Sequence, residues 1–121
     1  MGIGTSTQAF QQHGLHTTII EIDPVDYNYT RTLFDLAAPD AVFLEDARGW
    51  VRRKANELKG TEESLRLNEQ FDYVVHDCFS GGGVPSHLYT LEFWADLKKI
   101  IKPDGVVAVV CLLARATTPH F

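Results

Sequence analysis

The sequence predicts an α/β fold with a mostly parallel sheet, and three observations lead to it. Apolar, β-branched runs of strand length alternate with stretches of helical periodicity along the chain. A turn with two glycines precedes the first predicted helix, and acidic side chains follow three of the predicted strands. Strands that alternate with helices form parallel sheets with right-handed crossovers, so these acids are expected at one edge of the sheet.

The first predicted unit is a glycine turn that leads into a helix. Gly2 and Gly4 form the turn, Ser6 or Thr7 is expected to cap the helix, and Gly14 closes it. The glycines let a ligand approach the backbone closely, and a helix N-terminus offers free N–H groups. This layout is typical of a mononucleotide site, although no apolar strand precedes the turn in this sequence.

Acids at consecutive strand ends are the main functional signal. The predicted strands and their acids are residues 17–22 with Glu21 and Asp23, residues 41–44 with Glu45 and Asp46, residues 70–77 with Asp77, and residues 106–113 without a terminal acid. Ligands of parallel sheets bind beyond the carboxyl ends of the strands, so we expect these acids to share one crevice. An acid about 20 residues after a glycine turn can accept hydrogen bonds from ribose hydroxyls. For each acid alone, a helix N-cap or a solvated turn is the simpler interpretation.

The remaining segments are helices and their connections. The predicted helices are residues 25–36, 47–59 and 87–101, joined by a polar connection at residues 60–64, a glycine-rich loop at residues 78–86 and a turn at residues 102–105. Helical spacing places apolar side chains inward in the last two helices: Trp50, Val51, Leu58, Leu88, Leu91, Trp94, Leu97 and Ile101.

Composition limits the classes of partner and compartment. The 121 residues suffice for a single domain, and a net charge of −5 argues against a nucleic-acid partner. The most apolar run, residues 106–114, is too short to span a membrane. Cys78 and Cys111 lack the spacing of a metal or redox motif, which fits a reducing compartment and a cytoplasmic location.

Several of these segments together resemble one family. They are Glu21-Ile22-Asp23-Pro24, Glu45-Asp46-Ala47, and residues 71–77 followed by Phe93-Trp94 and residues 102–105. Over residues 1–110 the sequence resembles the spermidine/spermine synthase family, the polyamine aminopropyltransferase-like branch of the class I S-adenosylmethionine-dependent methyltransferase fold. The resemblance implies a Rossmann-like three-layer sandwich whose first strand and last strands are missing. Residues 1–121 would then be one incomplete domain.

The resemblance also implies a site and a reaction. The implied cofactor-binding residues are Gly2, Gly4, Glu21, Asp23, Asp46 and Ala47, and the implied catalytic residue is Asp77. Glu21 would hold both ribose hydroxyls, Asp46 would accept from the adenine amino group, and Asp77 would receive a proton from the attacking amine. The co-substrate would be decarboxylated S-adenosylmethionine or S-adenosylmethionine, without a metal, and the acceptor a small-molecule amine in polyamine biosynthesis. An oligomer is compatible with this interpretation.

One departure from the family pattern leaves the chemistry open. Two small hydroxyl residues and a second aspartate usually follow the catalytic aspartate, whereas Cys78, Phe79 and Ser80 stand here. The loss of the second acid favours methyl transfer as an alternative to aminopropyl transfer. A third interpretation is a non-catalytic, truncated fragment that folds only with a partner. Without the first strand, the sheet is expected to divide into two pairs with unpaired edges, and the isolated chain to be marginally stable.

Other enzyme classes have weaker support in the sequence. The glycine turn lacks the third glycine of a dinucleotide fingerprint, which disfavours a nicotinamide enzyme. His76-Asp77 has no second cluster of His and Asp residues with which to form a metal-hydrolase site. Ser80 and Ser86 lack the spacing of a nucleophile elbow.

Overall fold

The structure, a computed structural model, describes residues 2, 4–79 and 83–110. Helices and strands alternate much as predicted. In chain order they are α1 (Thr5–Gln12), β1 (Thr18–Ile20), α2 (Pro24–Leu33), β2 (Ala41–Phe43), α3 (Ala47–Glu57), α4 (Glu63–Glu69), β3 (Phe71–His76), a 3₁₀ helix (Ser86–Leu88), α5 (Leu91–Lys99) and β4 (Ile101–Val109).

The strands form two separate parallel pairs. β1 pairs with β2, with Ile19 opposite Val42, and β3 pairs with β4, with Val74 opposite Val107. This division into two pairs agrees with the expectation for a sheet without a central strand. Within the described residues, the fold is therefore α/β with short parallel pairs, and the single sheet of a full sandwich is not formed.

Helices lie on both sides of β3. On β3, the ring of Tyr73 stacks on Phe10 of α1 with 6.0 Å between ring centroids. His76 of the same strand instead faces Phe93 of α5, at 5.5 Å. Residues at odd spacing along a strand point to opposite faces, so α1 and α5 lie on opposite sides of β3. α1 in turn contacts the end of α2, because the Gln8 amide donates to the carbonyl of Phe34 at 2.7 Å.

The largest buried cluster lies where α3 and α5 cover the strands. Its buried members are Trp50, Val51, Ala55, Leu58, Leu88, Phe93, Leu97, Ile100 and Ile101. The predicted inward positions of α3 are confirmed, since Trp50, Val51 and Leu58 are all buried. Trp50 also connects the two strand pairs, with its ring 5.3 Å from that of Phe43 in β2 and 6.0 Å from that of Phe71 in β3.

The start of α1 differs from the prediction. Gly4 is its N-cap, in a left-handed conformation with φ of 77°, and no side chain caps the helix. Ser6 and Thr7 lie inside α1, so the predicted cap is wrong. A Cβ atom at Gly4 would lie 2.9 Å from Cγ2 of Thr30, so close packing on α2 fixes this turn. Gly14 follows the helix at φ of 74°, which confirms its closing role.

The predicted helix at residues 87–101 is divided in two. The 3₁₀ helix occupies its first part, and α5 begins only after Thr90, whose hydroxyl accepts from the amide of Phe93 at 3.3 Å. This later start turns Leu91 to the surface, where it is 86% exposed, so its predicted inward position is wrong. Leu88, Leu97 and Ile101 are buried as predicted.

Two connections also differ from the prediction. Helix α4 was not predicted beyond the polar segment 60–64. The expected turn at residues 102–105 lies within β4. Phe71 pairs with Ile101 and Tyr73 with Val106, so these four residues of β4 bulge out of the pairing with β3. Gly105 is required there, because a Cβ atom would lie 2.5 Å from Cγ2 of Ile101. The predicted strand residues 111–113 lie outside the described residues.

Candidate functional site

Three acids meet around a half-buried thiol at the carboxyl ends of the strands. Cys78 follows β3, and burial raises the pKa of its thiol above the ordinary value. The negative charges of Asp77, Glu21 and Asp46 raise this pKa further. Because such effects fall off with distance, each of the three carboxylates lies within electrostatic range of the Cys78 thiol, and we call them the acid cluster. The acids that follow β1, β2 and β3 thus all act on one thiol.

Glu21 is the most buried member of the acid cluster, at 8% exposure. Its Oε1 accepts from the amide of Asp23 at 2.9 Å, and its own amide donates to the carbonyl of Phe43 at 3.0 Å. The second bond extends the pairing of β1 with β2 by one residue, which fixes the position of Glu21. Asp23 caps α2, with Oδ1 accepting from the amide of Val25 at 2.8 Å. The structure therefore gives Asp23 a structural role beside Glu21.

Asp46 binds three donors. It caps α3, with Oδ1 accepting from the amides of Arg48 at 2.9 Å and Gly49 at 3.3 Å, and Ala47 is the first residue of that helix. Its Oδ2 accepts from Nε2 of His87 at 2.7 Å. Burial raises the pKa of Asp46, but the hydrogen bonds from His87 and the two amides outweigh burial and hold the pKa below its usual value. Asp46 is therefore a fixed, ionised carboxylate at neutral pH.

Two histidines for which the sequence indicates no role make hydrogen bonds beside these acids. His87 lies in the 3₁₀ helix, and its carbonyl accepts from the Arg48 guanidinium at 3.2 Å. His76, at the end of β3, is 3% exposed and donates from Nε2 to the carbonyl of Leu88 at 3.1 Å. Its ring also contacts that of Trp94, at 5.1 Å. Sequence spacing carries no signal for His87, because its partner Asp46 is 41 residues away.

The glycine turn contacts α2 in the structure. The hydroxyl of Thr30 donates to the carbonyl of Gly2 at 2.7 Å, and Gly4 is buried against Thr30 and Leu36. Gly2 has φ of 54° and open space around its Cα atom. The described contacts of this turn are thus with α2 rather than with the acid cluster.

Two surface cavities lie away from the acid cluster. One, of about 300 Å³, opens near the amino ends of the strands, and its lining includes Thr18, Ala41, Trp50 and Phe71. The other, of about 450 Å³, lies between α3 and α5. In the described part of the chain, no three His, Cys, Asp or Glu side chains are arranged to hold a metal ion. No helix within the same residues has the length and apolar character needed to cross a membrane.

Comparison with known proteins finds two transferases. The chain is 42% identical over 109 residues to the N-terminal histidine N-methyltransferase of Emericella nidulans, a match that covers 90% of this chain and 18% of that protein. It is 31% identical over 94 residues to the polyamine aminopropyltransferase of Vibrio vulnificus, covering 76% of this chain and 28% of the relative. The chain is related to transferases.

This relation includes the aminopropyltransferases but does not single out the spermidine synthase branch. The chain spans less than a third of the length of either relative. No protein-family model and no solved structure matches the chain.

Proposed function

We propose that the acid cluster binds an S-adenosylmethionine-type nucleoside and that the chain carries part of an N-alkyl transferase site. The observation that carries this proposal is that Glu21, Asp46 and Asp77 follow the carboxyl ends of three parallel-paired strands, within electrostatic range of the Cys78 thiol. The relation to two transferases, one of which transfers to nitrogen by name, supports it. The position of the acids beyond the carboxyl ends of parallel strands is where ligands of such sheets bind.

The donor and acceptor chemistry of these residues fits a nucleoside. Ribose hydroxyls and the adenine amino group donate hydrogen bonds, and ionised carboxylates only accept them. Glu21, fixed at the end of β1, is assigned to the ribose, and Asp46, fixed at the start of α3, to the adenine amino group. Gly2 and Gly4 would lie against the nucleoside, and Asp23 and Ala47 would support the neighbouring acids from the first turns of α2 and α3.

Asp77 is assigned the proton transfer. When bound, S-adenosylmethionine or its decarboxylated form supplies an electrophilic carbon on a sulfonium. Asp77 receives the proton that the amine nitrogen loses as the C–N bond forms, the C–S bond breaks and the electron pair of that bond goes to sulfur. A carboxylate in this place also orients the amine, and the acid cluster attracts a cationic acceptor into the crevice.

Methyl transfer to nitrogen is the first candidate reaction. The match to the N-methyltransferase covers more of the chain at higher identity, and the second acid that would hold a polyamine is replaced by Ser80 in the sequence. The acceptor class would then be a histidine or amine nitrogen. Aminopropyl transfer to a polyamine is the second candidate, supported by the match to the aminopropyltransferase.

Isothermal titration of the chain with 5′-methylthioadenosine and with S-adenosylhomocysteine tests the proposal. These two products share the nucleoside and differ in the tail on sulfur. We expect saturable binding of at least one; tighter binding of S-adenosylhomocysteine supports methyl transfer, and tighter binding of methylthioadenosine supports aminopropyl transfer. Asp40→Asn, at the amino ends of the strands, is the control and should bind as the wild type does. Failure of a chain shown to be folded by circular dichroism to bind either product would overturn the nucleoside site.

A further inference from the structure

A histidine with no sequence-level assignment makes a hydrogen bond at the centre of the proposed nucleoside site. His87 donates from Nε2 to Oδ2 of Asp46 at 2.7 Å, and the two side chains are 45% and 39% exposed. Since an ionised carboxylate only accepts, Nε2 carries the proton in this pair. The bond joins two segments that are remote in sequence, the start of α3 and the 3₁₀ helix after β3.

The position of His87 is itself fixed from two sides. Its carbonyl accepts from the guanidinium of Arg48, in the first turn of α3, at 3.2 Å. The next residue, Leu88, is buried and accepts from the ring of His76 at 3.1 Å. The backbone that carries the His87 imidazole is therefore held by side chains of α3 and β3.

The acceptor capacity of Asp46 indicates what this arrangement achieves. A carboxylate offers about four lone-pair positions. The amides of Arg48 and Gly49 take both positions on Oδ1, and His87 takes one on Oδ2. One position on Oδ2 is left, and three donors fix the direction in which it points.

We propose that His87 is a positioning residue that orients Oδ2 of Asp46 to accept one N–H, and so selects an adenine over a base without an exocyclic amino group. This inference rests on the proposed function, because it assigns the remaining lone pair to the nucleoside base. Without His87, Oδ2 can rotate or bind water, and the acceptor is no longer fixed before the ligand arrives. His87 acts through Asp46 and does not contact the reacting atoms.

The chain offers a matched control for this pair. His16 contacts Asp40 through Nδ1 and Oδ1 at the same separation of 2.7 Å, with side chains 94% and 51% exposed. That pair lies before β1 and β2, at the other ends of the strands. His16→Ala therefore removes an exposed His–Asp pair without changing the contacts of Asp46, which makes it the control for His87→Ala.

The test is base discrimination by wild type, His87→Ala, His87→Gln and His16→Ala. Binding is measured by titration with S-adenosylhomocysteine or 5′-methylthioadenosine, whichever the wild type binds more tightly, and with its inosine counterpart, which lacks the amino group. We expect the wild type and His16→Ala to prefer the adenine form by about tenfold or more, as expected for one hydrogen bond to a charged acceptor. His87→Ala should lower that preference to within about threefold, and His87→Gln, which keeps an N–H donor, should restore part of it.

The ratio separates positioning from a loss of folded protein, because misfolding lowers both affinities and leaves their ratio unchanged. Full discrimination by His87→Ala would overturn this inference while leaving the nucleoside site intact. An equal loss of discrimination in His16→Ala would also overturn it. Absence of binding of either base by the folded wild type would overturn the proposed function, and the role of His87 with it.

Discussion

The two ends of the parallel strands use charged side chains differently. At the amino ends, acids pair with cationic groups: Asp40 with His16, Glu69 with Lys54, and Asp72 with Lys102, each at 2.7 Å. At the carboxyl ends, three acids gather around one thiol, and their charges act together on Cys78. Exposed ion pairs contribute about 0–1 kcal/mol each to stability. Asp46 at the carboxyl ends is also paired, with His87 at 2.7 Å, so what distinguishes this end is the burial of Glu21, at 8% exposure, and the shared effect of three acids on one thiol.

The two His–Asp pairs allow the strand ends to be compared at the same N–O distance. Both have a separation of 2.7 Å, yet His16 with Asp40 joins adjacent loops at the protein surface, whereas His87 with Asp46 joins two segments beside the acid cluster. A short contact alone therefore does not distinguish a structural pair from a functional one. The surroundings of the acid distinguish the two pairs, because Asp46 belongs to the acid cluster and Asp40 does not.

The largest expected effect is the loss of transfer in Asp77→Asn. An amide cannot take the proton from the attacking nitrogen, so we expect the rate to fall about 10²–10⁴-fold while nucleoside binding is kept. Turnover is measured with S-adenosylmethionine and an N-terminal histidine peptide, or with decarboxylated S-adenosylmethionine and putrescine. Asp72→Asn, near the amino end of the same strand, removes only the pair with Lys102 and should retain full activity. Equal rates in the two variants would contradict the difference between the strand ends.

The second effect concerns stability, because Trp50 connects the two strand pairs. Trp50 is 6% exposed and contacts Phe43 and Phe71, so Trp50→Ala leaves a large cavity. We expect a loss of about 3–5 kcal/mol in the free energy of unfolding. Urea unfolding followed by circular dichroism measures it. Leu91→Ala, at a residue 86% exposed, is the control and should change little. A small effect of Trp50→Ala would show that the two pairs are held together elsewhere.

A third, smaller effect separates the two glycines that flank α1. Both have positive φ, at 77° for Gly4 and 74° for Gly14, so alanine at either costs about 1–2 kcal/mol from the backbone conformation. Only Gly4 is also crowded, with Thr30 2.9 Å from the added Cβ, and overpacking adds about 1–3 kcal/mol. Thermal unfolding of Gly4→Ala and Gly14→Ala compares the two. Equal losses would show that α2 yields to the added methyl group.

The smallest effect is on the pH dependence of stability. The hydrogen bond to Asp40, and then its charge, raise the pKa of His16. A group whose pKa is raised on folding contributes stability below its unfolded pKa of about 6.5, and this contribution is lost as pH rises through the folded pKa. The melting temperature of the wild type should therefore decline more steeply than that of His16→Gln just above pH 6.5. Parallel profiles of melting temperature against pH for the two proteins would contradict a stabilising interaction between His16 and Asp40.

Much of the fold was predictable because its signals are local. The β-branched runs that become β1 and β3 end in acids within a few residues, and Pro24 after Asp23 indicates the start of α2. The expectation that three acids follow strand ends at one edge came from parallel topology alone.

Two features that the sequence did not predict depend on distant contacts. His87 binds Asp46 across 41 residues, and the bulge at residues 102–105 is set by pairing with β3. The late start of α5 depends on a local feature, the Thr90 cap. The apolar spacing, which continues through Leu88 and Leu91, instead predicts a helix from residue 87. The cap determines the start of the helix because the Thr90 hydroxyl accepts from a first-turn amide that would otherwise lack a partner, and apolar spacing carries no information about such hydrogen bonds.

The raised pKa of Cys78 has a consequence for its redox chemistry. The thiolate is the form that reacts with peroxide, disulfides and alkylating reagents, and burial among three negative charges keeps this thiol protonated at neutral pH. Cys78 should therefore resist oxidation in a cell and react slowly with iodoacetamide. Its rate of alkylation would report the charge at the strand ends, falling when a ligand covers the thiol and rising when one of the acids is replaced by its amide.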